Sequence, residues 1–109
     1  MALAYKVLGQ VAPSATTATT LYTVPASTEV VISTITIANR GATAGTYRIA
    51  VRPNGATLAN EHYVAYDVSI PANTTVALTL GLTANAADVV TVYASNANMS
   101  FGAFGSEII

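Results

Sequence analysis

The sequence predicts an all-β fold, an antiparallel β-sandwich of about eight short strands, jelly-roll or immunoglobulin-like. Three observations predict it. First, turn residues recur at short intervals: Pro13-Ser14, Pro25-Ala26-Ser27, Asn39-Arg40-Gly41, Pro53-Asn54-Gly55, Pro71-Ala72-Asn73 and Asn85 to Asp88. Proline presets φ, and Gly and Asn tolerate positive φ, so these clusters let the chain reverse. Second, the runs between them are rich in Val, Ile, Thr and Tyr, which fit a pleated surface. Third, several runs alternate apolar and polar with period two, the pattern of strands covering a core on one face. A chain of 109 residues makes one domain, residues 1–109, with no linker or repeat. At this length folding buries roughly 60–70 % of the unfolded chain's surface, enough for a core without disulfides.

The first strand is expected at 4–11. The segment Val11 to Thr20, VAPSATTATT, is made of small residues and reads as an exposed loop or hinge. Residues 1–20 are therefore a candidate N-terminal arm and flexible loop, able to pair with the sheet edge of a neighbouring subunit. A strand follows at 20–24. In 29–38, Val30 and Ile32 fall on the opposite parity from Ile35 and Ile37. A bulge near Ser33 and Thr34 reconciles them by a one-residue shift; the alternative is a strand covered on both faces. In 46–52, Tyr47, Ile49 and Val51 oppose Arg48, Ala50 and Arg52. In 62–70, Val64, Tyr66, Val68 and Ile70 are assigned to the core face. In 74–80, Val76, Leu78 and Leu80 share a face. Val89 and Val90 are adjacent in 88–94, so both faces of that strand are candidates for burial, and a last strand is expected at 99–106.

Hydrophobic residues make up 52 % of the chain and charged residues 8 %, against about 25 % in typical domains. Thr, Ser and Asn fill the deficit. Free monomers rely on charge for solubility, so this surface suits a chain packed against something, and a homo-oligomer is expected. The four cations, Lys6, Arg40, Arg48 and Arg52, are scattered. They cannot form the basic face that nucleic acid requires. No apolar run approaches the ~20 residues of a membrane span. The N-terminal MALAYKVLGQ lacks the basic and apolar regions of a secretory signal. There is no cysteine, hence no disulfide or thiolate metal site.

Catalysis needs a nucleophile, base or metal held together, and no such set is visible, so neither an enzyme nor a cofactor is expected. The single histidine, His62, falls at the start of its strand, where a hydrogen bond to backbone is its expected role. Among Glu29, Glu61, Asp67, Asp88 and Glu107 no two stand at a calcium-loop spacing. Asp88 reads as a turn residue whose carboxylate accepts backbone N–H groups. The triplets Asn73-Thr74-Thr75 and Asn98-Met99-Ser100 arise by chance in a chain rich in Asn, Ser and Thr. The candidate partner interface is Arg48, Arg52, Tyr63 and Tyr93. The two arginines share one strand face, either solvated or forked onto a partner's carboxylate. Alternation assigns Tyr47 and Tyr66 to the core and leaves Tyr63 and Tyr93 as surface rings, which stack on sugars in some proteins.

The order of these features resembles a known family. Leu21-Tyr22-Thr23-Val24-Pro25-Ala26 is followed by Val30-Val31-Ile32-Ser33-Thr34-Ile35 and Ala38-Asn39-Arg40-Gly41. Then come Tyr47 to Pro53, His62-Tyr63, Tyr66-Asp67-Val68 and Ile70-Pro71-Ala72-Asn73. Asp88 to Ser95 and Phe104-Gly105-Ser106-Glu107-Ile108 close the pattern. Over nearly its whole length the chain resembles the small β-sandwich virion structural proteins of tailed bacteriophages. The resemblance implies a virion component: a head-decoration (cement) protein on the major capsid protein, or a small tail, neck or fibre-attachment part touching other virion proteins. It carries over no catalytic residue.

Overall fold

The computed structural model describes residues 2–109. Its strands, in chain order, are β1 (Leu3–Val11), β2 (Thr19–Thr23), β3 (Glu29–Asn39), β4 (Gly45–Arg52), β5 (Tyr63–Ile70), β6 (Thr74–Leu78), β7 (Leu82–Asn85), β8 (Val89–Ala94) and β9 (Met99–Ile108). They form two packed antiparallel sheets. One runs β1-β9-β3-β6, with β7 also on β3; the other runs β2-β8-β4-β5. The first and last strands lie side by side, and the chain passes repeatedly from one sheet to the other. That is the rolled Greek-key order of a jelly roll. An immunoglobulin domain instead carries its first two strands in one sheet.

The core lies between the sheets. Ile35, Ile37 and Met99 from one side meet Tyr47, Ile49, Val90 and Val92 from the other, all buried. The parity conflict in β3 is resolved by a bulge at Ser33: pairing with β9 shifts between Ile32 and Thr34, so Val30, Ile32, Ile35 and Ile37 are all buried. Ser33 Oγ donates to the Phe104 carbonyl at 3.1 Å. The same irregularity splits the neighbouring strand. β6 pairs with Ile35 to Asn39 and β7 with Glu29 to Ile32. The break between them, with Gly81 at φ 62°, therefore lies opposite the bulge. This is why the run 74–80 is shorter than its alternation suggests, why Leu80 is exposed, and why the described residues form nine strands. β8, central in its sheet, is buried on both faces, with Val89 and Thr91 covered as well as Val90 and Val92.

Two expectations are corrected. The segment 1–20, expected as an arm and flexible loop, is held by its own chain over its described residues: β1 pairs with β9, and the following loop is tied down where Thr16 N–H donates to the Ala94 carbonyl at 2.8 Å. The face assignment of β5 also fails. Ile70 is buried, but Val64, Tyr66 and Val68 are exposed. Val68, opposite the buried Tyr47, keeps the parity of Ile70 and lies open on the edge strand. For Val64 and Tyr66 the cause is a double register shift against β4, between Tyr47 and Ile49 and between Ile49 and Ala50, with Asp67 in the left-handed region at φ 51°. The inserted residues turn Tyr66 outward beside Arg48, while Ala65, opposite Ile49, packs on the core.

Buried polar groups are few and paired. Asn39 closes β3: its Nδ2 donates to the carbonyls of Thr43 (2.9 Å) and Pro71 (3.1 Å), and its Oδ1 accepts Gly41 N–H (3.1 Å). Between the sheets Glu107 accepts hydrogen bonds from the Tyr22 hydroxyl and from Lys6 Nζ.

Candidate functional site

All four interface candidates lie on the outer side of the β2-β8-β4-β5 sheet. Period-two alternation turns Arg48 and Arg52 of β4 away from the core that holds Tyr47 and Ile49. Arg48 stands directly opposite Tyr93 of β8, and Arg52 near Thr91. Tyr63 and Tyr66 come from β5.

Arg48 is the centre. Its guanidinium lies 4.3 Å from the ring centroid of Tyr66 and 4.2 Å from that of Tyr93. Cation–π attraction and planar stacking favour arginine over lysine in such a slot. The Asp67 bulge brings its carboxylate back to the fork, with contacts of 2.7 Å to Nε and 3.3 Å to Nη2. This hydrogen bond to Asp67 holds the guanidinium above its ordinary pKa, against a smaller desolvation that acts the other way. The arginine thus finds its carboxylate within the chain. Tyr63 meets Tyr66 edge to face at 4.8 Å, extending the aromatic cluster. Arg52 donates to Thr91 Oγ1 at 3.0 Å and to the Ala56 carbonyl at 2.9 Å, drawing the loop after β4 onto the sheet. Between cluster and loops lies a cleft of about 230 Å³, lined by Thr16, Arg48, Leu58, Tyr63, Thr91 and Tyr93 among others. A shallower hollow beside Asn60, Tyr63 and Tyr66 measures about 380 Å³.

His62 Nδ1 accepts the Ala59 N–H at 3.0 Å, closing a short 3-10 turn at the head of β5. Asp88 accepts backbone N–H groups from Asn54 (2.8 Å) and Asn85 (2.9 Å), joining two loops. Both residues hold backbone in place. Among the described residues no three of His, Asp and Glu are grouped as metal ligands.

The outer side of the other sheet presents a second surface, which the sequence reading did not single out. Leu3, Tyr5 and Val7 of β1 are 53, 81 and 50 % exposed and alternate along one face. Tyr5 and Val7, with Val31 and Phe104, border a shallow groove. The signal was present as Leu-Ala-Tyr-Lys-Val alternation, but hydropathy assigns such a face to the core. The Tyr22–Glu107–Lys6 cluster was also missed, because its members are brought together only by the pairing of the chain's two ends.

The fold and its two outer faces define a jelly-roll β-sandwich with exposed aromatic and aliphatic residues on sheet surfaces that carry few charges. No protein-family model, curated protein or solved structure matches the chain.

Proposed function

We propose that this chain is a non-enzymatic structural protein of a virus particle, a capsid decoration (cement) protein that binds and stabilises the major capsid protein. A tail, neck or fibre-attachment part is the alternative placement. One observation carries the reading: large apolar residues stand exposed on both sheets, while two of the four cations are paired with carboxylates of the same chain. Leu3, Tyr5 and Val7 on one sheet and Val64, Tyr66 and Val68 on the other are open. Lys6 is paired with Glu107, and Arg48 with Asp67. Contiguous exposed apolar surface on a small domain marks a contact site. Jelly rolls recur in viral shell proteins and in lectins, an analogy of architecture that supports the reading without deciding it. The turn-and-strand resemblance described above points the same way. A partner that binds only the assembled shell stabilises it by linkage.

Purified particles test this directly. Decoration requires copies in proportion to capsid subunits; a handful of copies per particle places the protein in the tail, and absence from particles removes the virion reading. A second reading, a carbohydrate-binding module, is favoured only by the Tyr63–Tyr66 pair beside the Asn60 hollow. A glycan array that binds wild type and not Tyr66→Ala supports it; an array without hits ends it.

A further inference from the structure

Four strand edges close the two sheets, and three carry a guard against pairing with another chain. β2 has only five residues and a register shift between Thr20 and Tyr22. β5 is bulged at Asp67. The β6/β7 edge is broken at Gly81. Short strands, bulges and breaks are the usual protections. The fourth edge, β1, has nine residues and no proline, and it is regular from Leu3 to Val7, where its register first shifts. Its one charge does not shield it: Lys6 turns to Glu107 at 3.1 Å.

The direction of the free backbone groups follows from the ladder. Ala2 and Ile109 exchange both N–H···O bonds, each 2.8 Å. In an antiparallel pair such residues alternate with residues whose backbone groups point away. Ala4 and Lys6 therefore bond to β9, and Leu3, Tyr5 and Val7 direct their N–H and C=O groups to the open edge. These same residues expose their side chains on the outer face.

We propose that a second copy of this chain docks on this edge, antiparallel, with Tyr5 meeting Tyr5, so that one sheet runs through both copies across a two-fold axis. The segment is its own complement. Leu3 of each copy meets Val7 of the other, each facing pair exchanges two N–H···O bonds, and the outer face gains a continuous Leu–Tyr–Val stripe. On the inner side Lys6 stands opposite Ala4, so no like charges meet. An isologous contact demands this self-complementarity, which an unrelated strand would have to reproduce by chance. There is room for the second copy. The sandwich closes on β1 from Leu8, which packs on the core, and Gly9, where an added Cβ would lie 2.1 Å from the Leu21 carbonyl oxygen. These stand three and four residues, roughly 10–13 Å, from the axis. Ala4 and Lys6 are exposed. The inference deepens the homo-oligomer expected from the low charge of the sequence and is independent of the placement in a virion, which particle composition tests separately.

The test is the mass of the purified full chain by sedimentation velocity and light scattering from micromolar to millimolar concentration. Wild type is expected to reach a dimer. Tyr5→Phe should remain one. Tyr5→Pro removes an N–H that points away from β9, so it should yield a folded monomer by circular dichroism. Tyr5→Lys, which sets like charges face to face, should do the same and serves if the proline variant misfolds. In this cysteine-free chain, Tyr5→Cys should give a covalent dimer with a short bis-maleimide. Leu3→Cys should not, because its two copies would lie roughly 13–14 Å apart. A wild type that stays monomeric overturns the proposal, as does a dimer untouched by both Tyr5→Pro and Tyr5→Lys, or cross-linking at Leu3→Cys equal to that at Tyr5→Cys.

Discussion

Asn39→Ala should be among the most damaging single changes outside the apolar core. Asn39 is 2 % exposed, and its amide joins the end of β3 to two loops. It donates to Thr43 and Pro71 carbonyls at 2.9 and 3.1 Å and accepts Gly41 N–H at 3.1 Å. Thr43 and Pro71 are exposed residues, so water can reach their carbonyls, and each lost bond costs about 0.5–1.5 kcal/mol. The Gly41 N–H is buried and loses its partner outright, at about 1–3 kcal/mol. The sum is roughly 2–6 kcal/mol, a large share of the typical 5–15 kcal/mol of a domain. At about 4 °C per kcal/mol for a chain of this size, Tm should fall by roughly 8–24 °C. Urea unfolding and calorimetry of both proteins give the number. Asn39→Asp supplies the internal control. It keeps the Gly41 contact but turns two donations into oxygen facing oxygen, so at neutral pH it should be less stable than Asn39→Ala. Acid protonates the carboxyl and restores one donor, so the two variants should converge as pH falls. A loss below about 1 kcal/mol in Asn39→Ala, or an Asn39→Asp more stable than Asn39→Ala at neutral pH, would refute the account.

The Glu107 cluster should shape the pH profile. The Tyr22 hydroxyl, then Lys6, hold the Glu107 carboxyl below its usual range, so its contribution is present above about pH 4.3 and is lost as pH falls through the lowered folded value. Burial, then Glu107, push the Tyr22 hydroxyl well above its ordinary value, so its contribution is present below about pH 10 and is lost as pH rises beyond. Urea midpoints across pH should show both flanks flattened in Tyr22→Phe; slopes equal to wild type would contradict the cluster's role. Gly9→Ala should prevent folding, because its Cβ would sit 2.1 Å from the Leu21 carbonyl oxygen, whereas at Gly81 nothing lies within 4 Å. Gly81→Ala, strained only by its φ of 62°, should lose about 1–2 kcal/mol, and soluble yield with thermal melts separates the two.

Comparing β3 with β5 shows what alternation can and cannot reveal. In β3 the Ser33 bulge is legible because four branched apolar residues, Val30, Ile32, Ile35 and Ile37, change parity in mid-strand, and each must be buried. In β5 the run Val64, Tyr66, Val68, Ile70 keeps perfect parity, so the Asp67 bulge leaves no trace in it. Tyrosine adds to the ambiguity. Its apolar ring and polar tip suit a surface as well as a core, and at Tyr66 the arginine fork beside it takes the place of buried neighbours. The Arg48–Tyr93 half of the cluster was partly readable, since Arg48 and Arg52 share a strand face; its link to Asp67 was not, because it depends on the bulge. Strand order was beyond local patterns altogether: Lys6 and Glu107, 101 positions apart, meet only once the two ends pair.

These failures concern the same kind of position. Hydropathy marks residues that leave water but does not say whether the cover comes from the same chain. Leu3, Tyr5 and Val7 on β1, like Val64 and Tyr66 on β5, have the alternation of a core face and lack a core to meet. On the assembly reading they are core positions completed by a second molecule. The excess of 52 % apolar over 8 % charged residues then belongs to the complex, not to the isolated domain. The two faces need not have the same occupant. β1 offers free backbone groups as well as side chains and so selects a strand. The Arg48 face, its arginine already paired with Asp67, offers side chains alone and selects a shape.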